Sequence, residues 1–257
     1  MSWSRSRVLL RQNWALLMAD PAPIVLLTLM PIVMMTFLQG TARAVLQAAG
    51  YPDASGAELV VPGMTVMFAF FGVGFIGTAF FSEHGWGTWD RLRSSRATTA
   101  EIVLGKILPS AGLLLGQLVV LFVVGVVAFG MRIEGSLAGV GVMMLACVTL
   151  LVALSMLLTA VLKTANQLMA VVNLAAMVLT GIGGGLAPVD VLPGWAQAIA
   201  PLSPAYWMLK GFRAVILDGG GVDATVVPAA ATVAFAAVLA VIAAWRFSIT
   251  DEKVWDS

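Results

Sequence analysis

Charge is what this sequence has least of. Only 11% of its 257 residues are Asp, Glu, Lys or Arg, while 60% are hydrophobic and the mean hydropathy is +0.99. Soluble domains carry about 25% charged residues, and a chain this poor in charge would leave most of a folded surface apolar in water. That excludes a water-soluble globular protein, and equally an intrinsically disordered one, which needs the opposite composition. The 14 basic and 13 acidic residues balance, so no basic excess offers a footprint for nucleic acid. Cysteine and histidine occur once each, as Cys147 and His84. A lone cysteine closes no disulfide within the chain, and two ligands fall short of the three or four that zinc requires. One histidine and scattered acids also fail to make the clustered constellation that a membrane enzyme would need.

Long apolar runs stand in place of charge. Crossing about 30 Å of hydrocarbon takes about 20 apolar residues in a helix, because lipid leaves backbone groups no partner but the helix itself. Six stretches qualify: 21–38, 60–81, 102–129, 137–162, 168–187 and 226–245. They predict an all-α membrane protein with six transmembrane helices, forming a single membrane domain over residues 1–257. Within it, 1–20 is expected as an interfacial helix, 21–246 as the six-span bundle and 247–257 as a cytoplasmic tail. The first run reads as a retained span rather than a cleaved leader, since Pro21 and Pro23 interrupt its start and no small-residue cleavage site follows. No acidic residue occupies the middle third of any run, which weighs against an ion-coupled secondary transporter.

Orientation follows from the basic residues. With both termini in the cytoplasm, the inner segments hold ten: Arg5, Arg7, Arg11, Arg91, Arg93, Arg96, Lys106, Lys163, Arg246 and Lys253. The outer segments hold four, Arg43, Arg132, Lys210 and Arg213, and this bias satisfies the positive-inside rule. Arginine outnumbers lysine and Ala, Gly and Val abound, a composition typical of a GC-rich bacterium. The expected location is therefore a bacterial inner (plasma) membrane, crossed several times.

Three segments outside the runs carry pattern. Trp3, Leu10, Trp14 and Leu17 recur at helical spacing while Arg5, Arg7 and Arg11 lie mostly elsewhere on the wheel. This suits a helix lying in the headgroup layer, or a simple basic flank that sets topology. From Glu83 onward the chain reads Glu83, His84, Gly85, Trp86, Gly87, Thr88, Trp89, Asp90, Arg91, Leu92, Arg93, Ser94, Ser95, Arg96. Gly87 can end one helix and Thr88 can cap a short new one, with Asp90 near its positive end and Arg93 and Arg96 in its last turn. The alternative is a solvated loop that merely satisfies the charge rule. A further helix start is expected at Thr98 or Thr99, with Glu101 in its first turn. Between the fifth and sixth runs the chain stays apolar but is broken by Pro188, Pro193, Pro201 and Pro204, with Ser203, Tyr206 and Trp207 among them. Proline forbids a continuous helix there, so short re-entrant or interfacial helices are expected. Lys210 and Arg213 on the next turn are expected to face outer water or headgroups.

Within the runs, Phe68, Phe71 and Phe75 share one helical face with Met64, and six of the 12 phenylalanines fall in this second run. Such a face packs against helices or lipid, or else holds an apolar substrate. Asn166 and Asn173 are seven apart and share a face of the fifth run. They, and Gln117 in the third, bond to a neighbouring helix or line a pathway. Gly112-x-x-x-Gly116 and Gly181-x-x-x-Gly185 permit close helix contact, and the glycines from 181 to 185 would let the fifth helix bend.

Taken together, these features resemble the type-2 ABC transporter permease family, the membrane subunits of bacterial ABC exporters. The resemblance rests on the amphipathic first segment, the six runs, and the pattern Glu83-x-x-x-Gly87-Thr88-x-Asp90-x-Leu92 followed by Gly105-Lys106. It also rests on Leu202-Ser203-Pro204-x-Tyr206-Trp207 near the outer side. Arg96 departs from it, standing where many members carry proline. The resemblance implies that Glu83, Gly87, Thr88, Trp89, Asp90, Arg91, Leu92, Arg93 and Arg96 form a coupling helix seated in a groove of a separate ATPase. It further implies a second permease subunit, identical or related, with the second and fifth spans beside the central cavity. Met64, Phe68, Phe71, Phe75, Asn166 and Asn173 are then the expected substrate pathway, for a drug, a lipid or a similar amphiphile. The chain contains no G-x-x-x-x-G-K-[ST] phosphate loop, since Gly105-Lys106 is preceded at the required position by Ala100 and followed by Ile107. ATP and magnesium are thus expected on the partner, with no cofactor and no catalytic or metal-binding residue on this chain.

Overall fold

Every helix in this bundle begins or ends for a local reason, and those reasons decide which residues meet. The structure, a computed structural model, describes residues 22–85 and 99–246. The expected interfacial helix at 1–20, residues 86–98 with the expected coupling helix, and the expected tail at 247–257 lie outside the described residues. In chain order come α1 (Ala22–Ala48), α2 (Ala57–Gly85), α3 (Thr99–Phe129), α4 (Leu137–Val161) and α5 (Ala165–Ile182). After a 3-10 turn at Val189–Val191 follow α6 (Gly194–Ile199), a second turn at Ala200–Leu202 and α7 (Pro204–Ile216). A third turn, Asp223–Thr225, leads into α8 (Val226–Arg246). The described residues hold no strand, and six helices (α1 to α5 and α8) are long and apolar enough to cross a membrane. The six-span, all-α expectation holds.

The helix ends differ from the hydropathy boundaries for physical reasons. The first span was expected to stop at 38, yet α1 runs to Ala48. Its extra turns are polar because Gln39 has work there: its side-chain amide donates to the carbonyls of Ser55 (3.3 Å) and Phe129 (2.9 Å). The helix stops at Gly50, whose φ of +96° is the left-handed C-terminal turn, with the Tyr51 N–H reaching back to the Leu46 carbonyl at 3.0 Å. α5 starts earlier than expected because the Thr164 hydroxyl caps it, accepting from the Gln167 N–H at 3.2 Å. The glycines after it end the helix instead of bending it. Gly184 takes a φ of +95° and the Gly185 N–H closes on the Thr180 carbonyl at 2.8 Å.

α2 is the axis of the bundle. In its spanning window 72% of residues are buried, against 56% for α4 and 17% to 33% for the other spans, so α1, α3, α5 and α8 turn most of their surface outward. It packs against α5, α1, α3 and α4, while α8 lies along α4. Lipid tails are as apolar as leucine, so close backbone approach has to supply the attraction that the hydrophobic effect provides in water. Gly63 supplies it most clearly, lying so near the Gly185 backbone that a Cβ there would collide with the Gly185 carbonyl. Gly116, from the expected Gly112-x-x-x-Gly116 contact, meets no neighbour among the described residues: a Cβ added there would find nothing within 4 Å.

Polar groups in the core are tied to backbone defects. Pro31 lies inside α1 and has no N–H, which leaves the Leu27 carbonyl without its helical donor. The buried Gln117 side chain on α3 supplies one, donating from Nε2 to the Leu27 oxygen at 3.1 Å. This settles Gln117 as an interhelical tie. Replacing Gln117 by Leu is expected to lower stability by about 1 kcal/mol. In a Pro31→Ala background, where the backbone donor returns, the same change should cost close to nothing. Thermal unfolding of the four proteins in one detergent measures the difference.

Candidate functional site

The residues singled out for transport fall in three places. The coupling pattern lies almost wholly outside the described residues; of it only Glu83 belongs to a described helix, in the last turn of α2. Thr99 opens α3 and Glu101 occupies its first turn, as the capping pattern predicts.

The proposed pathway residues lie on α2 and α5. Met64 is fully buried inside the chain. Phe68 and Phe71 are half-buried and meet edge to face, with ring centroids 5.2 Å apart and planes at 87°, and Phe75 is half-buried one turn on. Asn166 and Asn173 are exposed on the outward face of α5, and neither side chain hydrogen-bonds among the described residues. The interhelical bond expected of them is therefore not found among the described residues. Leu174 and Met177 continue the same exposed α5 face, which no other described element covers.

The proline-broken segment forms the other end of the bundle, where α1, α3 and α5 finish and α2, α4 and α8 start. The four basic residues assigned to the outer side, Arg43, Arg132, Lys210 and Arg213, all gather at this end. Pro201 and Pro204 break the chain as expected into a 3-10 turn and α7, with Pro204 at the first position of α7, where its missing N–H costs nothing. Ser203 is buried and donates its hydroxyl to the Leu179 carbonyl of α5 at 2.8 Å. Gly183 is pressed so closely against α7 that an added Cβ would lie 2.7 Å from the Tyr206 nitrogen. Trp207 donates from Nε1 to the Pro201 carbonyl at 2.9 Å and stands edge-on to Tyr206, with centroids 5.3 Å apart. The end of α5 and the start of α7 are thereby one packed unit.

Beside this unit opens a cleft of about 390 Å³ between α7, the α1–α2 loop and the Pro188 turn. Sequence reasoning missed it. Its polar wall is paired: the Tyr51 hydroxyl donates to Asp218 Oδ1 at 2.6 Å, and Arg213 Nη1 lies 3.3 Å from Asp190 Oδ2. The side chains of that ion pair are 36% and 78% exposed, so it contributes no more than about 1 kcal/mol. Burial opposes the charge on Arg213, yet the Tyr51 hydroxyl and the carboxylates of Asp190 and Asp218 outweigh it and raise the pKa further. Glu58, buried at the start of α2, is saturated by the N–H groups of Ser55, Gly56 and Arg132 at 3.0 to 3.2 Å and by the Ser55 hydroxyl. The pattern Ser55-x-x-Glu58 is a capping-box signature, the one local signal that marked this region.

Residues 5–217 match the family described as ABC-2 type transporter, and the chain belongs to it. It is 28% identical over 176 residues to ABC transporter G family member 20 of Dictyostelium discoideum, covering 67% of this chain and 24% of that protein. It is 26% identical over 162 residues to the linearmycin resistance permease protein LnrN of Bacillus subtilis, covering 59% of this chain and 39% of that one. The probable multidrug ABC transporter permease YbhR of Escherichia coli is 27% identical over 173 residues, or 67% of this chain and 47% of its own. The chain thus aligns with less than half the length of each of these relatives. The class of molecule is nevertheless defined: a multi-pass ABC transporter permease.

Proposed function

We propose that this chain is the membrane subunit of an ATP-driven exporter in a bacterial inner membrane, with both termini in the cytoplasm. Membership of the ABC-2 family, over residues that span five of the six crossing helices, is the observation that carries the reading. The chain contains no phosphate loop, so hydrolysis falls to a separate ATP-binding cassette with its magnesium. Two permease chains, identical or related, would enclose the pathway, and the uncovered α5 face with Asn166 and Asn173 is a surface of the kind such a partner would cover. The half-buried rings of Phe68, Phe71 and Phe75 suit a hydrophobic or amphiphilic cargo, in keeping with relatives named for multidrug and linearmycin resistance. Residues 83–96 would receive the motion of the ATPase, transmitted as rigid-body displacement.

The purified chain should hydrolyse no ATP by itself, and vesicles containing it should move amphiphilic cargo only once the cassette subunit and ATP are added. Turnover by the isolated chain, or transport without the cassette, would overturn the reading.

A further inference from the structure

The cleft beside α7 holds two polar groups without a mate. Arg213, Asp190, Tyr51 and Asp218 pair with one another, and Glu58 is saturated by backbone donors and Ser55. Lys210, one turn from Arg213 on the cleft wall, has no carboxylate within ion-pair distance among the described residues, and the Tyr206 hydroxyl has no hydrogen-bond partner among them. Aromatic faces hold the ammonium in place: Lys210 Nζ lies 5.2 Å from the Trp207 ring centroid and 5.6 Å from that of Tyr206. What remains available is therefore one cation with several N–H donors and one O–H donor. Below them the wall is apolar, formed by Leu59, Pro62 and Leu209, and Leu59 and Pro62 lie in the first turns of a crossing helix.

We propose that this cleft seats the singly charged phosphodiester headgroup of an amphiphile, with Lys210 and Tyr206 binding its oxygens and the acyl chain leaving along Leu59, Pro62 and Leu209. Three observations select this chemistry. The unpaired groups are donors, so the ligand end must be an acceptor, and a charged acceptor makes the stronger bond. Three carboxylates line the same cleft, so a dianion such as a phosphomonoester would meet more repulsion than a single charge does. The volume is large enough for a headgroup and its first methylenes but not for a whole lipid, which places the tail outside, in the bilayer. The site does not depend on the exporter reading, because it is a property of the isolated chain.

The test is equilibrium binding to the full-length chain in detergent, with lysophosphatidylglycerol as the probe. A monoacylglycerol of the same chain length serves as the uncharged match and inorganic phosphate as the tailless one. Lys210→Gln should weaken lysophosphatidylglycerol binding about tenfold and Lys210→Arg should restore most of it, while Tyr206→Phe, which keeps the ring, should cost about threefold. The monoacylglycerol should bind weakly and equally to all four proteins, and millimolar phosphate should not displace the probe. Unchanged affinity in Lys210→Gln and Tyr206→Phe, equal affinity for the uncharged match, or displacement by phosphate would each overturn the proposal. Solvent extraction of the purified protein separates the two sources of such a ligand. One phospholipid per chain that disappears in Lys210→Gln marks a resident bilayer lipid, whereas a site empty on extraction that still binds the added probe marks a passing amphiphile.

Discussion

Reversing two charges together, Asp90→Arg with Arg91→Asp, is expected to cut ATP-driven transport by about a hundredfold while the protein still inserts and accumulates normally. The expectation rests on the proposed coupling role of residues 83–96. A helix that seats in a groove of another protein relies on charge complementarity for register, and like charges set against each other there cost several kcal/mol. About 2.8 kcal/mol is already a hundredfold. The pair keeps the same net charge after reversal, so the positive-inside balance that sets topology is untouched. Transport into inside-out vesicles, normalised to the amount of permease in the membrane, measures the effect. Cassette binding should fall in parallel. Transport at the normal rate would remove these residues from any coupling role and leave them as a solvated loop.

The second large effect is on stability. Gly63→Val places a branched side chain where α2 lies against the Gly185 backbone, and no rotamer avoids the collision because the obstacle is main chain rather than side chain. Overpacking usually costs about 1–3 kcal/mol when neighbours can shift, and this site is expected at or above the top of that range. The turn from Gly183 to Gly185 cannot yield freely, since Gly184 needs its positive φ and Gly183 is pressed on the α7 backbone. Thermal unfolding in detergent should show a large drop, or expression should fail outright. Gly116→Ala is the matched control: it adds a Cβ to open space, and its stability should stay within about 0.5 kcal/mol of the parent.

The two glycines also show how far the sequence could be read. Gly116 belongs to a small-x-x-x-small pattern and Gly63 does not, yet only Gly63 makes the close contact. Spacing tells which residues share a helix face but not which face meets a neighbour. The six crossings were legible because lipid imposes a length and an apolar composition that nothing else in the chain imitates. Their ends were not, because polar caps set them: Gln39 draws α1 some ten residues beyond its apolar stretch, and Thr164 starts α5 before its own. Prolines 201 and 204 were informative for the opposite reason, as proline constrains its own backbone whatever surrounds it. The cleft was the hardest feature to foresee. Tyr51 and Asp218 are 167 positions apart and touch only after the whole bundle has formed, and no local pattern announces such a meeting. Lys210 and Arg213 were expected to look toward water or headgroups; Lys210 is exposed and Arg213 partly so, and both also line the cleft, where Arg213 pairs with Asp190 and Lys210 has no carboxylate partner among the described residues.

Ser203 and Gly183 bind the far end of α5 to α7 as firmly as if the two were a single girder. α5 has 18 residues and so rises about 27 Å from its Thr164 cap to that junction. A swing of about 5° at the capped end would carry the junction sideways by about 2.4 Å, and Tyr206 and Lys210 would travel with it. One helix therefore joins the cleft rim to the opposite end of the bundle, and a displacement there would alter the width of the opening.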